Sequence, residues 1–397
     1  MYTFFLGTNF DLSSAEISAV LTRHGISFEI ISSHKQYIRI QTQNTLPVNL
    51  IKNLGGTIRI SQDVATWNAM PGTEEILAAL KPLPPKWQIG LGYIGMSLNI
   101  RKLGIELKKA ARTESSKLAF VEAKAGSVLN AAQVIFNKLT SLPNSELIFI
   151  QNTDQVILTR TIAIQDIASY ELRDTLRPAR DARIGLLPPK LAQIMINLAL
   201  PQDAKKTTTI YDPFCGMGTV LQEAYLMGIS AIGTDISSDM VAASTKNITH
   251  LEKNFSVNAS HKPEVFLNDA TNPNFPEELR NKDITVVTEP FLGTPLTRAL
   301  SPIEAAQFYE SVIPLYRHFF QNIHSILQAN ARLLVLFPAP RIRENGKDTF
   351  TPLPRTFLDE IITFGYRKLK LILEEKPLLY ARPNALIARE ITLWERV

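Results

Sequence analysis

The spacing of apolar positions changes several times along the chain, and each change predicts an element. Tyr2–Leu6 is a continuous apolar run of strand length. Ser13-Ser14-Ala15-Glu16 has the spacing of a capping box and predicts a helix to about Arg23. Ser27–Ile31 and Tyr37–Gln41 alternate as strands do, a helix is expected around Pro47–Asn53, and Thr57–Ile60 predicts another strand. This β-α-β-β-α-β order over residues 1–62 is that of a ferredoxin-like domain with two split βαβ units. Residues 63–165 read as a second α+β section. Helices are expected at Glu74–Leu80, Asn99–Arg112 and Asn130–Leu139, strands at Trp87–Tyr93, Glu146–Gln151 and Gln155–Ile164, and the breaker Pro82-Leu83-Pro84-Pro85 separates the first helix from the first strand.

A charge-rich connector over residues 166–187 marks a change of pattern. Pro188 and Pro189 sit where a first helical turn would begin, and Leu191, Ile194, Met195 and Leu198 then fall on one helical face. From Thr207 strands and helices alternate. Strands are expected at Thr209–Pro213, Ala231–Asp235, Val265–Asp269, Ile284–Thr288 and Arg332–Phe337, and helices near Val220–Met227, Asp239–Lys253, Pro302–Leu327 and Arg355–Phe364. That alternation predicts an α/β, doubly wound parallel sheet over residues 188–397. Lys368–Tyr380 and Leu386–Trp394, flanking Arg382-Pro383-Asn384, predict an antiparallel hairpin on its edge.

Composition narrows the class without naming a function. The chain has 397 residues, 45% hydrophobic and 20% charged, which suits a globular protein of two or three domains. No apolar run is long enough to cross a membrane, and the opening MYTFFLGTNF lacks the basic segment and apolar core of a signal peptide. The single cysteine, Cys215, allows no internal disulfide, and no Cys/His cluster has metal-ligand spacing, so no metal is expected and the setting reads as reducing and cytoplasmic. A net charge of +5 permits a nucleic-acid partner without requiring one.

The strongest chemical signal is Asp212-Pro213-Phe214-Cys215-Gly216-Met217-Gly218-Thr219, between a strand and a helix. Gly216 and Gly218 let the backbone turn tightly and approach a ligand, and the helix behind them directs free N–H groups at it. The turn lacks the third glycine of a dinucleotide fingerprint and the Gly-Lys-Ser/Thr ending of a phosphate loop. Asp212 before it suits a ligand carrying a cationic amino group. Asp235 ends the next strand, where an acid accepts from ribose hydroxyls. Asp269, in Asn268-Asp269-Ala270, can accept from an adenine amino group. Each acid taken singly can instead be a helix cap or turn former. Cys215 reads as a small apolar filler, since no nearby histidine would activate it.

DPFCGMGT, GTD and NDA resemble motifs one to three of the class I methyltransferases. RPARDARIGLLPPKLAQIMINLA (177–199) and FFLGTNFDLSSAEISAVL (4–21) resemble, more narrowly, the THUMP-domain tRNA guanine-N2 methyltransferases of the guanine-10 type. The resemblance touches the whole chain and is loosest over residues 63–165. It implies a ferredoxin-like N-terminal domain (1–62), a THUMP-like RNA-binding domain (63–165), the connector (166–187) and a Rossmann-like methyltransferase domain (188–397). It also implies S-adenosylmethionine as cofactor, held by Pro213, Phe214, Thr219 and Ala270 together with Asp212, Gly216, Gly218, Asp235 and Asp269. The expected partner is RNA, specifically tRNA, with a small activating subunit as in some relatives, and the expected state is a monomer with no membrane contact.

The resemblance frays at the fourth motif. The family pattern is Asp/Asn-Pro-Pro-Tyr/Phe, whereas this chain has Thr288-Glu289-Pro290-Phe291-Leu292-Gly293. The acid is longer by one methylene and the loop is expected to be more flexible. The reading carried forward makes Glu289 the acceptor for the target amine, with the Pro290 carbonyl assisting and Phe291 stacking on the base. The competing readings are an inactive tRNA-binding homologue whose Phe291 merely packs, and an amino methyltransferase acting on ribosomal RNA or DNA. For RNA contact, the resemblance directs attention to Arg101, Lys102, Lys108, Lys109 and Arg112 on one helix, and to Arg177 and Arg180 in the connector. A solvated helix face and salt bridges between domains are the alternatives.

Overall fold

The computed structural model describes residues 1–180, 186–205, 207–272, 274–372 and 376–397. Contacts divide the chain into two compact units, one of Met1–Ser13 with Gly25–Ser169, the other of Ser14–His24 with Tyr170–Val397. Asp181 and Arg183 of the connector lie outside the described residues.

The first unit is built on a single eight-stranded sheet. Its elements are β1 (Tyr2–Leu6), α1 (Phe10–Arg23, which passes into the second unit at Ser14), β2 (Glu29–His34), β3 (Tyr37–Gln41), β4 (Thr57–Trp67), α2 (Thr73–Ala79), β5 (Lys86–Ile94), α3 (Ile100–Thr113), β6 (Lys117–Val121), α4 (Ala131–Phe136), β7 (Ser145–Asn152) and β8 (Gln155–Ile164). The strand order is β2-β3-β1-β4-β8-β7-β5-β6. Its first four members pair antiparallel in the split βαβ order read from the sequence. The predicted second helix is a 3-10 turn, Val48–Asn53. The Ser13 capping box does not form: α1 starts earlier, Asn9 Oδ1 accepts from Leu12 N at 3.1 Å, and the Ser13 hydroxyl donates to the carbonyls of Asn9 and Gly56. β4 runs seven residues past the expected end because it pairs with β8 along its length. Buried Arg59 pairs with fully buried Glu146, which also accepts from Thr161.

The second unit holds α5 (Ile167–Asp174, which begins in the first unit), α6 (Pro189–Ala199), β9 (Thr208–Asp212), α7 (Thr219–Leu226), β10 (Ser230–Asp235), α8 (Ser238–Asn254), β11 (Glu264–Leu267), β12 (Asp283–Thr288), α9 (Pro302–Ile323), β13 (Arg332–Glu344), β14 (Lys347–Phe350), α10 (Arg355–Thr363), β15 (Tyr366–Leu369), β16 (Leu379–Tyr380) and β17 (Ile387–Arg396). The sheet order is β11-β10-β9-β12-β13-β17-β15. Leaving out β14 and β16, which pair off this path, and counting along the unit, this is 3-2-1-4-5-7-6, with β17 antiparallel between β13 and β15. The expected hairpin therefore places its second strand inside the sheet, while the first breaks into β15 and β16. The strand order reverses between β9 and β12, the place where such sheets take ligands at the strands' carboxyl ends.

α6 starts on Pro189, as expected, but is buried on every side rather than on one face; only Lys190 is exposed. A helix apolar all round belongs in a core. Residues 14–23 of α1 cover it: Arg23 donates to Asn197 Oδ1 at 2.7 Å, and Asn197 donates to Glu16 at 2.8 Å. The core continues through Phe308, Tyr316, Phe319 and Phe320 of α9 and Leu333, Val335 and Phe337 of β13. Among the described residues no helix is long and apolar enough to cross a membrane, and no three His, Cys, Asp or Glu side chains group as metal ligands.

Candidate active site

The glycine loop leaves β9 at Asp212 and enters α7 at Thr219. Gly218 caps α7 with φ +75°, and a Cβ there would lie 2.2 Å from Ser244 Oγ, so only glycine lets α8 come this close. Asp212 is 3% exposed; its Oδ1 accepts from Thr288 Oγ1 at 2.6 Å and from Phe214 N at 3.2 Å. Burial, reinforced by the nearby Asp235 and Glu289 carboxylates, pushes its pKa up to about 7 despite those two hydrogen bonds. No cation pairs with this carboxylate among the described residues. Cys215 is buried and its thiol is pushed up by desolvation, consistent with a filler.

Asp235 ties the loop down. Its Oδ2 accepts from Gly216 N and its Oδ1 from Ser237 N, both at 2.9 Å. Ile236 follows it with its apolar side chain 71% exposed, and Leu267, beside Asp235 in register, is likewise exposed. The sequence reading passed over both because neither is polar; an apolar residue standing open at a strand's carboxyl end was the available signal. β11 ends at Leu267, short of Asp269. The Asp269 carboxylate takes Thr271 N, Thr271 Oγ1 at 2.6 Å and Asn272 Nδ2 at 3.0 Å, which makes it a turn former here. Ala270 is buried beneath it.

At the end of β12, Glu289 receives the Nε of Arg389, which β17 delivers from 100 residues further along the chain. The register sets this up, since Arg389 lies opposite Pro338 of β13, itself a neighbour of β12. Sequence reading could not find Arg389. The loop is held rather than loose: Tyr316 Oη donates to the Phe291 carbonyl at 2.9 Å, and Gly293, φ +91°, fits against the Phe308 ring where a Cβ would intrude at 2.4 Å. Pro290 is buried, whereas Phe291 is 56% exposed, a large aromatic left open. Further along the loop, Arg298 and Ser301 line a cavity of about 520 Å³ with Arg341, Arg343 and Asp348. Arg298 and Arg343 pair with Glu304 and Asp348, while Arg341 lies 5.1 Å over the Phe350 ring.

The strand order with its reversed seventh strand, the glycine loop and the acids at successive strand ends coincide with a family match. Residues 177–345 match the model described as an RMKL-like methyltransferase domain. This chain is a class I S-adenosylmethionine-dependent methyltransferase. It is similar to the tRNA (guanine(10)-N2)-dimethyltransferase of Methanothermobacter thermautotrophicus, 28% identical over 83% of this chain and 85% of that one. It is also similar to the enzyme of the same name from Pyrococcus abyssi, 31% identical over 38% and 39% of the two chains. The crystal structure of TrmN from Thermus thermophilus shares the methyltransferase's fold, with a TM-score of 0.54 at 14% identity over the whole of both chains.

The cofactor's chemistry fits what stands in the methyltransferase's loop. A buried, cation-free carboxylate would suit the cofactor's amino group, glycine backbone would permit close approach, and exposed apolar side chains would offer a face to its purine. When bound, the cofactor supplies an electrophilic methyl group.

The cations expected to touch RNA divide. Arg101, Lys102, Lys108, Lys109 and Arg112 are all exposed on α3, and at 100° per residue they fall within an arc of about 120°. Arg180 is exposed. Arg177 is not a surface cation: it is 4% exposed and donates to Thr219 Oγ1 at 2.9 Å, because the connector turns inward onto α7. Arg173 is buried too, paired with Glu223 at 2.6 Å within the same unit.

Proposed function

We propose that this methyltransferase modifies the exocyclic N2 of a guanine in tRNA. The observation that carries the reading is the extent of the similarity to the archaeal tRNA enzyme: it spans 83% of the chain and so reaches beyond the catalytic unit into the N-terminal one. Under this reading residues 1–62 and 63–165, the ferredoxin-like and THUMP-like domains, hold the tRNA, with the α3 cations on its phosphates. The cavity lined by Arg298, Arg341 and Arg343 takes phosphate beside the target nucleotide.

At the reacting end, Asp212 receives the cofactor's amino group, Asp235 its ribose hydroxyls, and Ile236 and Leu267 flank its base. Glu289 accepts an N–H of the target amine, which frees the nitrogen lone pair from the base. The Pro290 carbonyl takes the second N–H, and Phe291 stacks on the extruded base. Arg389 holds Glu289 in one place, so the acceptor is organised before the base arrives. The extra methylene of glutamate is thereby anchored from behind.

The test is transfer of labelled methyl groups to tRNA, ribosomal RNA and DNA, followed by mass spectrometry of the nucleosides. Label in N2-methylguanosine or its dimethyl form from tRNA supports the reading. Label only in DNA, in ribosomal RNA or in N6-methyladenine refutes it, and bound cofactor with no transfer identifies a binding protein. Performing the assay with the purified chain alone shows whether an activating subunit is needed, and light scattering tests the monomer. We place the activity in the cytoplasm, which fractionation of the source cells checks.

A further inference from the structure

Among the described residues of the second unit, buried Arg177 forms no ion pair. Arg173 and Arg177 lie four residues apart, and they reach two α7 residues that are also four apart. Arg173 pairs with Glu223, one turn into the helix, and Arg177 reaches Thr219, its first residue. Glu223 is thus already used by Arg173, and Asp174 acts on Arg177 through space without pairing with it. Arg177 Nη1 donates to the Thr219 hydroxyl, while its Nε and Nη2 are buried and have no hydrogen-bond partner among the described residues. A guanidinium 4% exposed with two idle donors is expensive to keep in a protein interior unless an anion joins it.

Its position is fixed, not accidental. Two residues on, Ala179 N donates to Asn247 Oδ1 at 2.9 Å, and Asn247 Nδ2 donates both to Ala179 O at 3.1 Å and to Met217 O at 3.0 Å. One α8 amide therefore staples the connector to the glycine loop. The result is an unpaired buried carboxylate, Asp212, where the loop begins and an unpaired buried guanidinium, Arg177, where it ends. Opposite charges at the two ends of one short loop are complementary to a zwitterion, and the amino-acid end of the cofactor is one: an ammonium and a carboxylate on the same carbon.

We propose that Arg177 is the carboxylate-binding residue of the cofactor site, donating Nε and Nη2 to the carboxylate of the cofactor's amino-acid moiety beside the first turn of α7. This rests on the glycine loop holding that end of the cofactor, and is independent of which nucleic acid is methylated. Arg gives a planar, bidentate match that lysine cannot reproduce.

The test is calorimetric binding of two ligands, S-adenosylhomocysteine and 5′-methylthioadenosine, the second lacking the amino-acid carboxylate. Arg177→Gln is expected to weaken the first at least tenfold and leave the second within twofold, with Arg177→Lys intermediate. Equal loss for both ligands would mean that Arg177 only supports the loop, and no loss for either would mean that it faces elsewhere; each overturns the proposal. If the variants do not fold, the wild-type protein decides. The methyl ester of S-adenosylhomocysteine should bind at least tenfold more weakly than the acid, and equal affinity overturns the assignment. These readouts do not depend on methyl transfer, so they stand even if tRNA is not the substrate.

Discussion

Replacing Asp212 by Asn separates the charge of this side chain from its shape. Asn keeps an oxygen that can accept from Thr288 and Phe214, so the loop should persist. What disappears is a carboxyl whose pKa burial raises to about 7. Without ligand, wild-type Asp212 is about ten parts protonated to one ionised at pH 6, and about the reverse at pH 8. A ligand ammonium requires the ionised form, so binding at pH 6 must first expel the proton. Wild-type affinity for S-adenosylhomocysteine should therefore be about tenfold lower at pH 6 than at pH 8, levelling off above pH 7. Asp212→Asn should show no such slope and bind more weakly at pH 8. Calorimetry in buffers of differing ionisation enthalpy would count close to one proton released at pH 6 by the wild type alone. Folding stability gives a second readout. An acid whose folded pKa is raised holds its proton in the native state while the unfolded chain has lost it. Wild-type stability relative to Asp212→Asn should thus fall as pH rises from about 4 to about 7, by at most about 4 kcal/mol, and then stay flat. A wild-type affinity unchanged between pH 6 and 8, or the same slope in the variant, would refute the reasoning.

Other residues give independent checks. Asp235→Ala should weaken cofactor binding by about 1–3 kcal/mol, because ribose hydroxyls and the Gly216 N–H lose their acceptor; unaltered affinity in calorimetry would remove Asp235 from the site. Glu289→Gln should lower kcat far more than cofactor affinity, and parallel loss of both would show that it does not face the target amine. Arg389→Met should lower turnover while sparing cofactor affinity, since Glu289 loses the guanidinium that holds it in place; unchanged turnover would show that the ion pair is only structural. Glu146→Ala leaves buried Arg59 without its carboxylate and should destabilise the first unit by about 3–5 kcal/mol in thermal unfolding, with cofactor affinity unchanged.

The parts of this fold legible in the sequence are those governed by near neighbours. Period and punctuation were enough for the strand-loop-helix around Gly216 and Gly218 and for the α/β alternation after Pro188. Misplaced elements were those decided at a distance. Ser13 looked like a cap, but its hydroxyl is occupied by Gly56, 43 residues away. The length of β4 depends on β8, and the continuation of β13 to Glu344 depends on pairing with β14. The same division holds for the site. Asp212, Asp235 and Glu289 stand out as acids at predicted strand ends, whereas Arg389 is an ordinary strand cation until the sheet order places it beside Glu289. Arg177 shows the reverse failure: in a run of alternating charges it reads as surface, and only its burial against α7 reveals otherwise.

The assignment of residues 14–24 to the second unit bears on how the chain can be dissected. A fragment beginning at Tyr170 holds every strand of the methyltransferase sheet and still lacks part of its own interior. Asn197, fully buried, would lose both Glu16 and Arg23, and the apolar surface of α6 beneath them would meet water. Such a fragment should be poorly soluble by itself and recover when a peptide spanning residues 10–24 is added. The catalytic unit is therefore discontinuous in sequence, and its last piece is made some 150 residues before the rest during synthesis. An early-made helix must wait for its partner, so exchanging whole domains with a relative by cutting at the connector would transplant an incomplete module.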